Sequence, residues 1–284
     1  MAKPDAIQPV SQDEKIRAMI IADPGVGKSS LIGTGAAAGL KTLIIRPPTD
    51  HIPASVMKSG AEQWIVRTWE DMDEVGTYAR YEGADWDWIW LDSASGWQDT
   101  GLDDIWAGVL AENPHRRQFS YDRGEYRINM NRLGEWVRNM AGVGTFNFGI
   151  TAWSFETPNP FDENAVVMQR WPWIQGKGMP QRLTGYMNFV GQMEVKKNKE
   201  QTWRRLHTQM TPTFFAKDQF DAFPKGYVDN PTLPKIIDAI NQARIAPQQR
   251  QGGTPAGPAR RGARGRQAAA PTTARPRRGA RREN

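Results

Sequence analysis

Short apolar runs alternate with longer amphipathic stretches over residues 14–245. The runs have the length of strands, and the stretches between them have the length of helices. The predicted strands are Ile16–Ala22, Thr42–Arg46, Trp64–Arg67, Trp88–Asp92 and Thr145–Thr151. The predicted helices run from Lys28 to about Gly39, from Trp69 to about Gly83, and over 99–111 and 121–141. Strands that alternate with helices predict an α/β domain whose mostly parallel central sheet is covered on both faces.

The pattern changes beyond residue 180. Phe189–Lys196 and Trp203–Gln209 are predicted to form a β-hairpin around Lys197–Gln201, and Thr232–Ala243 a final amphipathic helix. Residues 246–284 are rich in Gly, Pro, Ala, Gln and Arg, and such a segment cannot bury enough apolar surface to offset its ordering entropy. The sequence therefore predicts a flexible leader over 1–13, one α/β domain over 14–245 and a disordered tail over 246–284.

Composition narrows the class of protein. Hydrophobic residues make up 39% of the 284, which is enough for a sizeable core. The absence of cysteine excludes disulfides and thiolate metal sites and favours a cytoplasmic location. The polar N-terminus lacks the apolar segment of a signal peptide, and no run is long enough to span a membrane. We therefore expect a soluble protein with no membrane partner.

The basic character of the chain is concentrated at one end. Residues 251–284 hold nine Arg and one Glu, a net charge of +8, so residues 1–250 carry −2 of the total of +6. Arginines separated by Gly, Pro and Ala are typical of a flexible arm that binds polyanions. The predicted DNA-binding residues in this arm are Arg260, Arg261, Arg264 and Arg266. A solubilising tail is the alternative interpretation.

A phosphate-binding loop follows the first predicted strand. The segment from Ala22 reads ADPGVGKSS, and it lies between an apolar strand and a helix. The chemistry needs a turn of exposed backbone N–H groups at a helix N-terminus. Lys28 is expected to reach the β- and γ-phosphates of ATP, and Ser29 to offer its hydroxyl to Mg²⁺. The predicted nucleotide-binding residues are Asp23, Pro24, Gly25, Val26, Gly27, Lys28, Ser29 and Ser30.

Two acids are candidates for the rest of the catalytic site. Asp92 closes the buried run WIWLD, where a carboxylate can hold Mg²⁺. Its alternative role is to cap the next helix. Asp50 follows the second strand and is the candidate for orienting a hydrolytic water, with an ordinary turn residue as the alternative.

These residues resemble the RecA-like ATPases, and most of all the compact phage-encoded branch of nucleotide-binding and single-strand annealing ATPases. The resemblance covers roughly 14–245. The segments that carry it are ADPGVGKSS, TLIIRPPTD ending at Asp50, VRTWEDM, WIWLDSAS with Asp92 and Ser93, MEVKKNKE and FFAKD. Ala22 in place of the usual first glycine departs from the family pattern, as does Trp153 in place of a polar residue that senses the γ-phosphate.

The resemblance implies a Mg²⁺-dependent ATPase that acts on single-stranded DNA in recombination, annealing or replication. It implies a head-to-tail ring or filament with ATP at the subunit interface, recombination or replication partner proteins, and the host cytoplasm as location. Lys197 and Lys199 match a Lys-x-Lys pair that reaches the neighbour's ATP, with a solvated hairpin turn as the alternative.

The resemblance also places two DNA-contacting segments at 112–124 and 154–180. In both, cations lie beside aromatic rings, a mixture that suits single strands, although charged surface loops are the alternative. The candidate DNA-binding residues there are Arg116, Arg117, Tyr121, Arg170, Trp171, Trp173 and Lys177. Three competing functions remain open: a small-molecule kinase, a nucleotide-controlled assembly or DNA-loading factor with little turnover, and a helicase.

Overall fold

A computed structural model describes residues 14–117, 120–158 and 167–245. The strands are β1 (Arg17–Ile21), β2 (Thr42–Arg46), β3 (Glu62–Ile65), β4 (Trp88–Leu91), β5 (Asn147–Ala152), β6 (Ser154–Pro158), β7 (Met168–Pro172), β8 (Phe189–Lys197), β9 (Thr202–His207), β10 (Lys217–Asp218) and β11 (Tyr227–Asp229). The helices are α1 (Lys28–Ala37), α2 (Ala54–Met57), α3 (Trp69–Tyr81), α4 (Ala94–Glu112), α5 (Arg123–Gly142), α6 (Met179–Gly185) and α7 (Leu233–Ile245).

Within the described residues, nine strands form one sheet. Its order is β11-β9-β8-β1-β5-β4-β2-β3, and β10 pairs with β8. The six strands from β8 to β3 are parallel to one another, while β9, β10 and β11 pair antiparallel at one end. The predicted α/β class, the mostly parallel sheet and the β8–β9 hairpin are confirmed.

Helices cover both faces of the sheet and create two cores. On one face, α3, α4 and α5 pack against the odd positions of β1, such as Met19 and Ile21. On the other face, α1 and α7 pack against the even positions, such as Ala18 and Ile20. Successive side chains of a strand point to opposite faces of the sheet, so a strand buried on both faces contributes alternate residues to the two cores. Among the described helices, none has both the length and the apolarity needed to cross a membrane.

The structure corrects two predictions of secondary structure. The third strand lies two residues earlier than predicted, because Ile65 pairs with Arg46 and the chain then turns into the Thr68 cap of α3. The segment 154–180 contains an antiparallel ribbon, β6–β7, where only a loop was predicted. Pro158 and Pro172 end its two strands, and proline inside an apolar run argues against a strand.

Candidate functional site

The candidate site lies at the carboxyl ends of four neighbouring parallel strands. The phosphate loop follows β1, Asp50 follows β2, Asp92 follows β4, and Trp153 follows β5. Because the sheet order places β1, β5, β4 and β2 side by side, these four segments reach the same edge. Open α/β sheets bind ligands at this edge.

The phosphate loop joins β1 to the first turn of α1. Gly25 and Gly27 adopt positive φ angles of 78° and 113°, which side chains with a β-carbon rarely adopt. Lys28 is 7% exposed, and its Nζ donates to the carbonyls of Ala22 at 2.9 Å and Asp23 at 3.2 Å. Burial lowers the pKa of Lys28, against the opposing attraction of Asp92, Asp23 and Asp50. The ammonium is therefore surrounded by acids and is held close to the loop.

Asp92 is buried at the end of β4. Its backbone N–H donates to Ile45 at 2.8 Å, which extends the ladder with β2. The hydroxyl of Thr151, on β5, donates to Oδ1 of Asp92. Among the described residues, Oδ2 has no hydrogen-bond partner, so this oxygen is the one that a ligand can use.

Asp50 lies across the cleft from the phosphate loop and contacts the start of α4. Its Oδ2 accepts hydrogen bonds from the backbone N–H and the hydroxyl of Ser93, both at 2.8 Å. This approach requires glycine at position 96, because a β-carbon there would lie 2.5 Å from the same oxygen. Burial raises the pKa of Asp50, and the bonds from Ser93 oppose that rise. The Asp92–Ser93 peptide bond is cis, and the Ser93 hydroxyl caps α4 by accepting from Gly96.

The loop, the two acids and Trp153 enclose one cleft of about 310 Å³. Its lining residues are Pro24, Gly25, Lys28, Ser29, Arg46, Thr49, Asp50, His51, Ile52, Asp92, Ser93 and Trp153. The cleft thus brings together Lys28, Ser29, Asp50 and Asp92 as the sequence suggested. Ser29 and Asp92 are the chemically suitable pair for Mg²⁺, which takes one or two protein oxygens together with phosphate oxygens.

Arg46 is a member of this cleft that sequence analysis missed. Its guanidinium donates to the carbonyls of Pro47 and Asp50 and to the side chain of Gln63. The sequence does contain a signal for it, because Arg46 is a charged residue at the carboxyl end of the apolar strand β2, the end at which the site lies.

The base of the β6–β7 ribbon, formed by Trp153 before β6 and Trp173 after β7, lies beside the cleft. The rings of Trp153 and Trp173 stack with centroids 5.1 Å apart. The hydroxyl of Ser95, in the first turn of α4, accepts from the N–H of Trp153 and donates to the carbonyl of Trp173, each at 2.9 Å. Trp153 lines the cleft while Trp173 is 40% exposed, so the pair connects the cleft to the protein surface.

The ribbon also contacts the phosphate loop directly. Arg170, on β7, pairs with Asp23 at 3.4 Å and with Glu156 at 3.2 Å, and the hydroxyl of Ser154 donates to Asp23. Arg170 therefore lies at the phosphate loop. The prediction that Trp171 stacks on DNA is wrong, because its ring is 1% exposed and packs on Phe215 with centroids 4.0 Å apart.

The other predicted DNA-binding residues fall into three groups. Arg116 makes an ion pair with Glu125 at 2.6 Å and lies over the Trp106 ring, and the Tyr121 hydroxyl donates to Asp103 at 2.6 Å. These contacts position the segment before α5. Arg117 and Lys177 are exposed. Arg260, Arg261, Arg264 and Arg266 lie outside the described residues.

The β8–β9 hairpin carries the predicted Lys-x-Lys pair. Lys197 ends β8, and both it and Lys199 are exposed at the turn. Arg204, on β9, lies against the phosphate loop of the same chain, a contact that sequence analysis missed. Its Nε donates to the carbonyl of Val26 at 2.6 Å. The alternation of Arg204 with Leu206 put both on one face of β9, but only the strand pairing shows what that face contacts.

Comparison with protein families gives one match. The model of a family described as "AAA domain" matches residues 14–220, which is most of the chain. A search of the curated proteins finds no match.

Several solved structures are similar to this chain at low sequence identity. They include the RadB recombinase, with 8% identity, a TM-score of 0.42, and coverage of 68% of this chain and 80% of that one. A KaiC-like protein from Pyrococcus horikoshii OT3 has 7% identity and a TM-score of 0.39, with coverage of 68% and 78%. The flagellar accessory protein FlaH from Methanocaldococcus jannaschii has 9% identity and a TM-score of 0.34, with coverage of 68% and 77%.

Proposed function

We propose that this chain, which belongs to the AAA domain family, binds ATP with Mg²⁺ at the phosphate loop and hydrolyses it. One observation carries the proposal: Lys28, Asp50 and Asp92 line a single cleft although they follow three different strands. The backbone N–H groups of the loop and the Lys28 ammonium suit a triphosphate. Lys28 and Asp92 are themselves buried, which strengthens their electrostatic contacts relative to water.

The residues around the cleft would have separate roles in hydrolysis. Bound Mg²⁺ would neutralise charge on the phosphates, and the Ser29 hydroxyl and Oδ2 of Asp92 would hold it. Thr151 fixes the other oxygen of Asp92 and so orients the carboxylate. Asp50, which Ser93 holds on the opposite wall of the cleft, would accept a proton from the attacking water or orient that water.

We further propose single-stranded DNA as the polymer on which the protein acts, in recombination, annealing or replication. The ribbon base is the supporting feature, since Trp173 is exposed and stacks on a ring that lines the cleft. Lys177 follows it closely and is also exposed. An exposed ring beside a cation suits stacking on bases with contacts to phosphates.

A ring or filament of identical chains is the proposed assembly. Lys197 and Lys199 are exposed at the hairpin turn and make no ion pair within the described part of the chain. They are therefore available to a neighbouring subunit's ATP, where a cation supplied in trans stabilises charge in the transition state. Recombination or replication proteins are the proposed further partners.

The test is ATP turnover measured with and without single-stranded DNA. We expect DNA to stimulate turnover, and Lys28→Ala to abolish turnover or ATP binding, because the loop then lacks the cation that holds the β- and γ-phosphates. Lys58→Ala, which removes an exposed lysine after α2, is the matched control and should behave as wild type. Normal nucleotide affinity in Lys28→Ala would contradict the assignment of the cleft.

A small-molecule kinase is the second candidate, and one cavity favours it. A space of about 480 Å³ adjoins the cleft and shares Arg46, His51 and Ile52 with it. Such a space beside the γ-phosphate is where an acceptor would bind. Turnover that depends on an added small acceptor and ignores DNA would support this candidate, and ATP binding without turnover would favour an assembly or DNA-loading factor.

A further inference from the structure

Arg204, on the distant segment β9, contacts the phosphate loop through its side chain. Its Nε donates to the carbonyl of Val26 at 2.6 Å. The side chain also lies directly over Gly27, where a β-carbon would come within 2.7 Å of Nε. The backbone of residue 204 is fixed in turn, since its carbonyl accepts from Asn230 at 2.7 Å. The exposed guanidinium therefore lies against the backbone of the loop, on a strand that is anchored beside it.

No acid neutralises this guanidinium among the described residues. Asp229, on the neighbouring strand β11, is engaged by Arg205 through two hydrogen bonds at 2.7 and 2.8 Å and by Trp203 at 3.0 Å. The only side-chain hydrogen bond of Arg204 within the described part of the chain uses Nε. Its two terminal nitrogens therefore keep their donors, and these donors form the planar fork that matches phosphate oxygens.

The cations of the site lie on different flanks of the loop. Lys28 lines the hydrolytic cleft together with Asp50 and Asp92, and these two acids attract its ammonium. Arg204 contacts Val26 and Gly27, and neither Arg204 nor these two residues lines that cleft. In phosphate loops the backbone N–H groups cradle the α- and β-phosphates, whereas the lysine reaches the β- and γ-phosphates. The position of Arg204 thus corresponds to the phosphates nearer the nucleoside.

We propose that Arg204 binds the phosphates that ATP and ADP share, within the same chain. This inference rests on the proposed nucleotide binding and adds a residue to it. The Nε bond to Val26 sets the orientation of the guanidinium, and the terminal nitrogens contact phosphate oxygens. Because the contact does not involve the γ-phosphate, Arg204 strengthens ATP and ADP binding equally and does not discriminate between them.

The experiment measures dissociation constants for Mg²⁺-ATP and Mg²⁺-ADP in the full chain and in Arg204→Gln. We expect both constants to rise about 10-fold, the worth of one charge-assisted hydrogen bond, with their ratio unchanged. Arg204→Lys keeps the charge but loses the fork, so both constants should rise by less. The effect should be the same at every protein concentration, because the residue and the loop belong to one chain.

Arg80→Gln is the matched control, since it removes the same charge from the exposed end of α3 and should leave both constants unchanged. Unchanged constants in Arg204→Gln would overturn the inference, as would a loss confined to ATP or one that appears only at concentrations where chains assemble. If Arg204→Gln does not fold, the same readouts on Arg204→Lys decide. Wild-type protein that binds neither nucleotide would instead overturn the proposed function.

Discussion

At the residue scale, the charged Asp50 carboxylate is partly buried, and this burial destabilises the fold of the nucleotide-free chain. Its pKa is raised by burial, so the folded protein disfavours the charged form. The contribution of Asp50 to the stability of the fold is most favourable where this carboxyl is protonated, and it declines as pH rises from the ordinary pKa of 3.8 through the raised one. Such a penalty is typical of a group retained for chemistry.

We predict that Asp50→Asn stabilises the nucleotide-free protein at neutral pH, because the amide carries no charge to bury. The gain in Tm should be present at pH 7.5 and smaller near pH 4, because the wild-type carboxyl takes up a proton and loses its buried charge as pH falls through its raised pKa. Turnover should fall about 10²–10⁴-fold, the usual contribution of a general base. Thermal unfolding at the two pH values and steady-state turnover measure the two effects.

Asp238→Asn is the control for this prediction, because it removes the same charge from an exposed position on α7. It should alter neither Tm nor turnover. A lower Tm in Asp50→Asn at pH 7.5 would show that the bonds from Ser93 outweigh the burial of the charge. Full turnover in that variant would remove Asp50 from the proposed mechanism.

At the scale of elements, α4 joins the cleft to the β6–β7 ribbon. Its N-cap residue Ser93 binds Asp50, and Ser95 in its first turn binds the backbone of both Trp153 and Trp173. One turn later, the Gln98 side chain accepts from the N–H of Gln175 at 2.8 Å. A shift of α4 relative to the cleft would therefore move the ribbon with it.

We predict that Trp153→Ala uncouples the ribbon from the cleft. The stacked pair with Trp173 contributes about 0.5–1.5 kcal/mol beyond burial, so its loss should loosen the ribbon base without removing any group that binds phosphate. Basal turnover should stay within about 10-fold of wild type, because about 1.4 kcal/mol corresponds to a tenfold change in rate. Stimulation by single-stranded DNA should be lost, as measured by the ratio of turnover with and without DNA.

Trp203→Ala serves as the aromatic control and should keep the stimulation, because the Trp203 side chain bonds to Asp229 on β11 and not to the ribbon. Trp153→Phe should retain part of it, since phenylalanine can still stack. If single-stranded DNA stimulated Trp153→Ala as much as wild type, the stacking of Trp153 on the ribbon would not be needed for the response to DNA.

At the scale of the whole molecule, charge divides the chain into a nearly neutral domain and a basic end. We predict that deletion of residues 251–284 weakens DNA binding and flattens its salt dependence, because each arginine–phosphate contact releases counterions. ATP affinity should not change. Affinities measured between about 50 and 200 mM salt test this, the range over which such contacts have large effects. An unchanged salt slope would remove the arm hypothesis.

The sequence by itself determined the parts that depend on neighbours along the chain. The loop from Ala22 to Ser30 was identifiable because strand, glycines, lysine and helix are contiguous. The strand ending at Asp92 was identifiable because a buried parallel strand is a continuous apolar run. The bounds of β2 were predicted to the residue, since Pro47 and Pro48 stop it.

Only the tertiary structure decided which distant segments meet. The order of strands brought Asp50 to Ser93 and placed Trp153 in the cleft, and local patterns carry no record of strand order. Trp171 lies in β7 and Trp173 directly after its end. Trp171 is nevertheless buried in the core, whereas Trp173 is exposed. Arg204 reached Val26 from 178 residues away because β9 joins the sheet beside β8. Long-range pairing fixes such contacts, and it depends on how the whole chain packs.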